Sequence, residues 1–181
     1  MRRVAAAVVL AVLLSGCADK PVGPARQVPV ALAPDAVLGG SLHLYLNTAA
    51  GTEAAFHRGP KDSLISSGRL WEIRRKDRLI GTLEIAAVKP DVNLAKRSVR
   101  EELTAPILVG ARNDIRVLGQ EVDMVQADGG LSTLVWFGKG LFLVLQVKDQ
   151  LVGGPDLAQA IIGYQQSRSE WQPMSQLYTP T

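Results

Sequence analysis

Glycine-rich turns divide the apolar stretch between residues 115 and 148 into segments of strand length. Asp128-Gly129-Gly130 separates residues 115–127 from 131–137, and Gly138-Lys139-Gly140 separates the latter from 141–148. Glycine accepts the positive φ that tight turns require, and Gly119 predicts a further break inside the first segment. These short glycine-containing turns between strand-length segments predict an antiparallel meander.

The first half of the chain and its end carry further strand and helix patterns. Residues 41–47 alternate apolar and polar side chains with the two-residue period of a strand. A hairpin is predicted over residues 70–88, with its turn at 75–78. Helices are predicted over 94–104, with Asn93 as N-cap, and over 157–166, after Pro155. The order predicts an α+β fold, in which an antiparallel β-sheet of meanders and hairpins has two helices packed on one face and leaves the other face partly open.

The first sixteen residues have the pattern of an export signal. Arg2 and Arg3 precede an uncharged apolar run over residues 4–14, and Ser15-Gly16 supplies the small side chains that a signal peptidase accepts. The run is too short for a membrane-spanning helix, which needs about 20 apolar residues. Cys17 follows directly and is the only cysteine in the chain.

Leu14-Ser15-Gly16-Cys17 resembles the lipobox of bacterial lipoproteins, with an aliphatic residue, two small residues and a cysteine. The resemblance implies cleavage between Gly16 and Cys17 and a diacylglyceryl group on the Cys17 thiol. Two acyl chains hold a protein firmly on a bilayer, whereas one binds only marginally. The implied location is the extracytoplasmic side of a cell membrane, with the chain held by a lipid anchor. An ordinary secretory signal with an incidental cysteine is the alternative.

The rest of the chain divides into a tether, one domain and a tail. Residues 17–38 contain four closely spaced prolines and predict an extended tether of about 60 Å. Residues 39–167 form the predicted domain, and Trp171 and Leu177 are expected to hold the tail, residues 168–181, against the sheet. The order of elements is similar to that of the PsbP and Mog1 group, without a shared residue motif.

Charge argues against nucleic acid as a partner. Loss of Arg2 and Arg3 with the signal leaves 18 basic and 17 acidic residues, a net charge of +1. A nearly neutral exported chain has no strong electrostatic reason to bind nucleic acid.

Two groups of side chains are candidates for surface contact. Basic residues around the predicted hairpin turn either meet an anionic lipid or wall surface or keep the strand edge from pairing with other chains: Arg69, Arg74, Arg75, Lys76 and Arg78. Aromatic residues around the Gly138-Lys139-Gly140 turn either form an apolar contact on an open sheet face or belong to the core: Trp136, Phe137 and Phe142.

Residue patterns for catalysis or metal binding are weak. The two histidines, His43 and His57, have no local metal-ligand spacing, so no metal and no cofactor is predicted. A hydrolase set of His57, Asp62 and Ser63 lacks the G-x-S-x-G motif. Carboxylates elsewhere have no spacing that fixes a pair or a calcium loop: Asp91, Glu101, Glu102, Asp114, Glu121 and Asp123.

The sequence therefore predicts an envelope lipoprotein whose non-catalytic domain binds a partner protein or a ligand, in an assembly or sensing role. An extracytoplasmic hydrolase and a carrier of lipid or glycolipid are the alternatives. A carrier requires an enclosed apolar cavity between the sheet and the helices.

Overall fold

The computed structural model describes residues 24–48, 64–148, 150 and 152–174. Within these ranges, eight strands form one sheet and two α-helices pack against it. The predicted α+β class with an antiparallel sheet is confirmed. The strands are β1 (Ala36–Val37), β2 (Leu42–Leu46), β3 (Ile65–Arg75), β4 (Arg78–Val88), β5 (Arg112–Val117), β6 (Gln120–Ala127), β7 (Leu131–Gly138) and β8 (Leu141–Lys148), and the helices are α1 (Arg97–Thr104) and α2 (Gly154–Gln166).

Two four-stranded meanders meet at the centre of the sheet. The strand order is β1-β2-β3-β4-β8-β7-β6-β5, and every neighbouring pair is antiparallel. Helix α1 connects β4 to β5, and α2 follows β8. The turn between β5 and β6 consists of Leu118 and Gly119, whose φ angles of 48° and 81° are those of a type I′ hairpin turn. This two-residue turn fixes the register of β5 against β6.

Both faces of the sheet carry a buried apolar cluster. On the first face, Trp136 and Leu143 pack with Leu157 and Ile161 of α2. On the second face, the intervening strand residues pack with Leu103 of α1: Ala86, Val88, Val135, Phe137, Phe142 and Val144. The helices therefore lie on opposite faces, which differs from the predicted arrangement on one shared face. Successive strand residues point to opposite faces, so the even-numbered residues of β4 and β8 and the odd-numbered residues of β7 share the second face. Helix α1 packs on that face, and α2 packs on the other.

The sheet curls around α2. This helix contacts the central strands β7 and β8 and also both edge strands, β1 and β5. Eight strands at about 4.8 Å spacing make a sheet more than 30 Å wide, whereas 13 helical residues span only about 20 Å. Contact with both edges therefore requires a strongly twisted and curved sheet.

Residues 24–38 belong to the folded domain, so the predicted tether over residues 17–38 is wrong for this part. Val28, Leu32 and Val37 are buried in the cluster of the first face. The hydroxyl groups of Ser66 and Ser67 donate hydrogen bonds to the Arg26 carbonyl, at 3.0 and 2.8 Å. The prolines suit an extended path across the sheet, and the apolar residues between them supply the burial.

The helix boundaries differ slightly from those expected. Helix α1 begins at Arg97, with Lys96 as N-cap, rather than at residue 94. The predicted cap, Asn93, instead accepts a hydrogen bond from the Ala95 amide on its Oδ1 at 2.9 Å, which makes a local turn before the helix. Helix α2 begins three residues before the predicted start, with Pro155 in its first turn.

The end of the described chain packs on the turn between β7 and β8. Trp171 is buried against Gly138, where a Cβ would lie 2.8 Å from the indole ring. The Lys139 amide donates to the Gln172 carbonyl at 2.7 Å. Trp171 thus holds this part of the tail as expected, and Leu177 lies outside the described residues. None of the helices in the described ranges is long and apolar enough to cross a membrane.

Candidate functional site

Several predicted functional residues lie outside the described part of the chain. These are Gly16 and Cys17 of the lipobox and the hydrolase set of His57, Asp62 and Ser63. His43 is described and lies on β2 with an exposed side chain, where its ring is 6.3 Å from that of Tyr45. Among the described residues, no group of three or more histidine, cysteine or acidic side chains is arranged to hold a metal ion.

The basic residues of the β3–β4 hairpin divide into two sets. Arg75, Lys76 and Arg78 are exposed at the turn, which we call the basic tip. Arg74 contacts Glu72 through two hydrogen bonds of 2.8 and 2.6 Å to one carboxylate oxygen. Arg69 lies partly buried in β3 and donates from Nε to the Val28 carbonyl at 3.1 Å. Three of the five predicted residues are therefore exposed around the turn, with Asp77 among them, and Arg74 and Arg69 are partly buried.

The predicted aromatic contact surface is wrong. Trp136, Phe137 and Phe142 are 0%, 6% and 1% exposed. The two phenylalanine rings stack at 5.4 Å in the cluster of the second face, and Trp136 belongs to the cluster of the first face. They are core residues because both faces of β7 and β8 are covered.

A polar cleft lies on the second face between α1 and the β5–β6 hairpin. Two adjoining cavities of about 370 and 330 Å³ share Arg100, Arg116, Glu121 and Phe137 in their walls. The larger cavity is also lined by three further carboxylates and two further arginines: Glu101, Asp114, Asp123, Arg97 and Arg112. We refer to the two cavities together as the charged cleft.

Two arginines of the charged cleft are held by contacts with α1 and the residues before it. Arg100 donates from Nη1 to the carbonyl groups of Leu94 and Ala95, at 2.8 and 3.2 Å. Arg112 donates from Nη2 to the buried hydroxyl of Thr104 at 3.1 Å. Arg100, on α1, and Arg112, on β5, are thereby held in place where α1 meets the β5–β6 hairpin.

Asp114 and Asp123 are the unusual pair in the charged cleft. They lie directly opposite each other on β5 and β6. Burial raises the pKa of Asp123, a hydrogen bond with the Asp114 carboxyl raises it further, and Arg112 and Arg100 oppose this shift. Like charges directly across two strands destabilise a sheet unless a proton is shared. The raised pKa of Asp123 thus favours its protonated form, hydrogen-bonded to the Asp114 carboxyl.

This pairing follows from the type I′ turn. With Leu118 and Gly119 as the two turn residues, Val117 faces Gln120 and Asp114 faces Asp123. Spacing along the chain gives no sign of it, because eight residues lie between the two aspartates. Counting outward from the turn would have found the pair.

We expect Asp123→Asn to stabilise the domain at neutral pH by about 0.5 kcal/mol, since it removes the repulsion across the strands. The pKa of Asp123 is raised in the folded state, so the protonated carboxyl contributes stability that is present below its unfolded pKa of about 3.9. That contribution is lost as the pH rises through the folded pKa. The gain from the substitution should therefore increase with pH.

Urea unfolding at a series of pH values from about 4 to about 8 measures this difference. Glu121→Gln is the matched control, because Glu121 lies on the same strand, is 81% exposed and meets only Arg116, at 3.8 Å. A gain for Asp123→Asn that does not change with pH would argue against the raised pKa of Asp123.

Two exposed leucines lie beside a groove on α2. Leu38 and Leu118 have positive φ angles of 52° and 48° and are 39% and 50% exposed. The groove has a volume of about 610 Å³, and its floor includes Ala160 and Gly163 of α2. The left-handed backbone is costly for a residue with a branched side chain. Leu118 is held in it by Gln166, which donates to the Leu118 carbonyl at 3.0 Å.

Comparison with known proteins gives no relatives. No protein-family model matches the chain, and no curated protein or solved structure matches it significantly. The lipobox and the likeness to the PsbP and Mog1 group therefore stay predictions.

Proposed function

We propose that this chain is a bacterial envelope lipoprotein with a non-catalytic extracytoplasmic domain that binds a partner protein or a ligand beside the membrane. The observation that carries the proposal is Leu14-Ser15-Gly16-Cys17, which ends a short apolar run after Arg2 and Arg3. Lipidation also accounts for a single cysteine in an exported chain, where a thiol has no disulfide partner.

The early start of the folded domain supports a position close to the bilayer. Only six residues lie between Cys17 and Pro24, the first described residue, which makes seven residue steps. A fully extended chain covers about 3.4 Å per residue, so this segment spans at most about 25 Å. The domain then lies within about one domain diameter of the lipid headgroups.

The position of the N-terminal entry constrains the orientation. The Arg26 carbonyl contacts Ser67 near the start of β3, whereas the basic tip follows the end of this strand. At about 3.3 Å per residue, Arg75 lies roughly 26 Å from Ser67. The basic tip can therefore contact an anionic surface of the anchoring membrane when β3 lies along that surface, each charge adding about 1 kcal/mol at most.

The charged cleft supports the binding part of the proposal. It is a concave surface with charged groups on opposite walls, the arrangement expected for a polar recognition site. Crosslinking of the anchored chain in cells, followed by mapping of the attached residues, tests whether a partner sits there. Turnover of an ester, glycan or peptide by the purified chain would contradict the non-catalytic part.

Cys17→Ser tests the anchor. We expect the variant to lose the carbonate-resistant membrane fraction, because serine cannot form the thioether that holds the acyl chains. Immunoblotting of washed membranes and of soluble fractions measures the distribution.

Ser15→Ala is the matched control, since alanine is also a small residue and should keep the chain in the membrane fraction. An undiminished carbonate-resistant fraction for Cys17→Ser would refute lipid anchorage at this residue.

A further inference from the structure

Strand β5 is a free edge of the sheet. It is the last strand in the order, and its residues Arg112 to Asp114 and Arg116 are exposed. Within the described ranges, no other segment makes a backbone hydrogen bond to its outer side. The strand contains no proline, no lysine and no bulge, and the charges that it carries, on Arg112, Asp114 and Arg116, are of both signs.

The backbone groups of β5 alternate in direction. The two-residue turn makes Val117 and Gln120 the closing hydrogen-bonded pair, so Ile115 also directs its backbone groups towards β6. Arg112, Asp114 and Arg116 then direct their N–H and C=O groups away from the sheet. These outward groups are available to a further strand.

The charges on β5 are complementary to those on a second copy of β5 that runs antiparallel to it. Read antiparallel to itself, the strand can align Asp114 with Arg116 of a second copy and Ile115 with Ile115 of that copy. A twofold axis repeats each contact, so one pairing makes two opposite-charge contacts and one apolar contact. Such cross-strand pairs stabilise a sheet.

We propose that two copies of this chain associate through β5 as an antiparallel pair, with Asp114 opposite the partner's Arg116 and Ile115 opposite the partner's Ile115. The two sheets then form one continuous sheet across a twofold axis. The contact is isologous, so it closes as a dimer.

The alternative registers are less favourable. Aligning Asp114 with its own copy places two carboxyl groups together and sets Arg112 against the partner's Arg116. Aligning Arg112 with the partner's Asp114 restores opposite charges, but it puts Asn113 at the axis and runs into residues 109–111, which are not in a strand. The proposed register has both opposite charges and the apolar pair, and it uses the regular part of β5.

The proposed contact also removes a conflict within one copy. Asp114 faces Asp123 and, among the described residues, makes no ion pair within 4.0 Å. A guanidinium group from the second copy would stabilise the ionised form of Asp114. The Asp114 carboxylate thereby gains an ion pair that the described residues of one copy do not supply.

A membrane surface would favour this small contact. Pairing of one six-residue strand buries little area, which is typical of weak association in solution. Anchoring of both copies to one bilayer raises their effective concentration. The pairing itself does not depend on the lipid anchor, so failure of Cys17→Ser to release the chain would leave it unaffected.

Cysteine crosslinking of the full chain in its own membranes tests the proposal. Ile115→Cys places two thiols at the axis, in a non-hydrogen-bonded pair with Cα atoms about 4.5 Å apart, which is within disulfide range. Mild oxidation should yield a dimer of twice the monomer mass. Tyr45→Cys, which places a single exposed cysteine on β2 in the other meander, is the control and should stay monomeric. The unsubstituted chain reports any reaction of Cys17.

Charge reversal in the Ile115→Cys background tests the register. Asp114→Arg alone and Arg116→Asp alone should each lower the crosslinked fraction about tenfold, because the twofold axis creates two like-charge contacts. The double variant restores opposite charges and should return the fraction to the Ile115→Cys level. This recovery separates a lost contact from a lost fold, since both changes remain in the chain.

Three results would overturn the proposal. These are no dimer with Ile115→Cys, a dimer no more abundant than that of Tyr45→Cys, and a dimer that the single charge reversals leave unchanged. Thermal unfolding of each variant monitors folding. A variant that unfolds is replaced by Asp114→Asn or Arg116→Gln, for which a smaller loss is expected and no loss would equally overturn the register.

Discussion

Gln165→Leu will lower the free energy of unfolding by about 4 kcal/mol, because it leaves two buried polar groups without partners. Gln165 is 0% exposed, accepts a hydrogen bond from Nε1 of Trp136 at 3.1 Å and donates one to the Leu32 carbonyl at 3.2 Å. Its side chain connects α2 to β7 and to the N-terminal segment. Leucine fills a similar volume but can replace neither bond.

Urea unfolding followed by tryptophan fluorescence measures this loss. The neighbouring Gln166 offers a matched control, since it bonds the Leu118 carbonyl at 3.0 Å on the exposed side of the helix. Gln166→Leu should cost less than about 1 kcal/mol, because water can satisfy the Leu118 carbonyl. Equal losses for the two variants would mean that the buried connection has no special part in stability.

Gly81→Ala will disrupt the centre of the sheet and cost at least about 3 kcal/mol. Gly81 on β4 pairs with Val147 on β8, at the seam between the two meanders. A Cβ at this position would overlap the Gln146 carbonyl oxygen, which is backbone and cannot rotate away. The strands must separate or shift register, and a shift by one residue would turn their buried side chains towards solvent.

Hydrogen exchange of the β8 amides, together with the midpoint of thermal unfolding, measures this effect. Gly163→Ala is the control, because a Cβ there meets only the flexible end of Leu118, at 3.3 Å, and alanine is the better helix former. We expect this control to be neutral or slightly stabilising. Unchanged protection of β8 in Gly81→Ala would contradict the close approach of the two strands.

Local turn chemistry made most of the strands predictable. Glycines lie in the turns between β5 and β6, between β6 and β7, and between β7 and β8, and they predict where these strands end. Glycine allows the short turns of two or three residues that join antiparallel neighbours. The alternation of residues 41–47 likewise predicted the inner and outer faces of β2, where Leu42 and Leu44 are buried and His43 is exposed.

Global packing was harder to predict, although one signal was present. Residues 134–137 and 141–145 are continuously apolar, and such runs are typical of strands that are covered on both faces. The prediction of a partly open sheet face, and with it of an aromatic contact surface, does not take account of these runs. The positions of the two helices depend on the sheet order across β4 and β8, which no local pattern fixes.

The charged cleft and the N-terminal segment escaped prediction for different reasons. The cleft brings α1 against the distant hairpin of Asp114 and Asp123, so it depends on tertiary contact. The prolines of the N-terminal segment predict a tether, whereas Leu32, between two of them, and Val37, after the last, are buried. Proline spacing excludes a long α-helix there, but it does not exclude a segment that packs on the sheet with one 3₁₀ turn, Val30–Leu32.

Mass spectrometry of the chain extracted from membranes tests the central claim most directly. The account predicts that the first residue is Cys17 and that its N-terminal peptide carries the mass of a diacylglyceryl group on sulfur. A peptide that starts elsewhere, or one in which Cys17 keeps a free thiol, would contradict it.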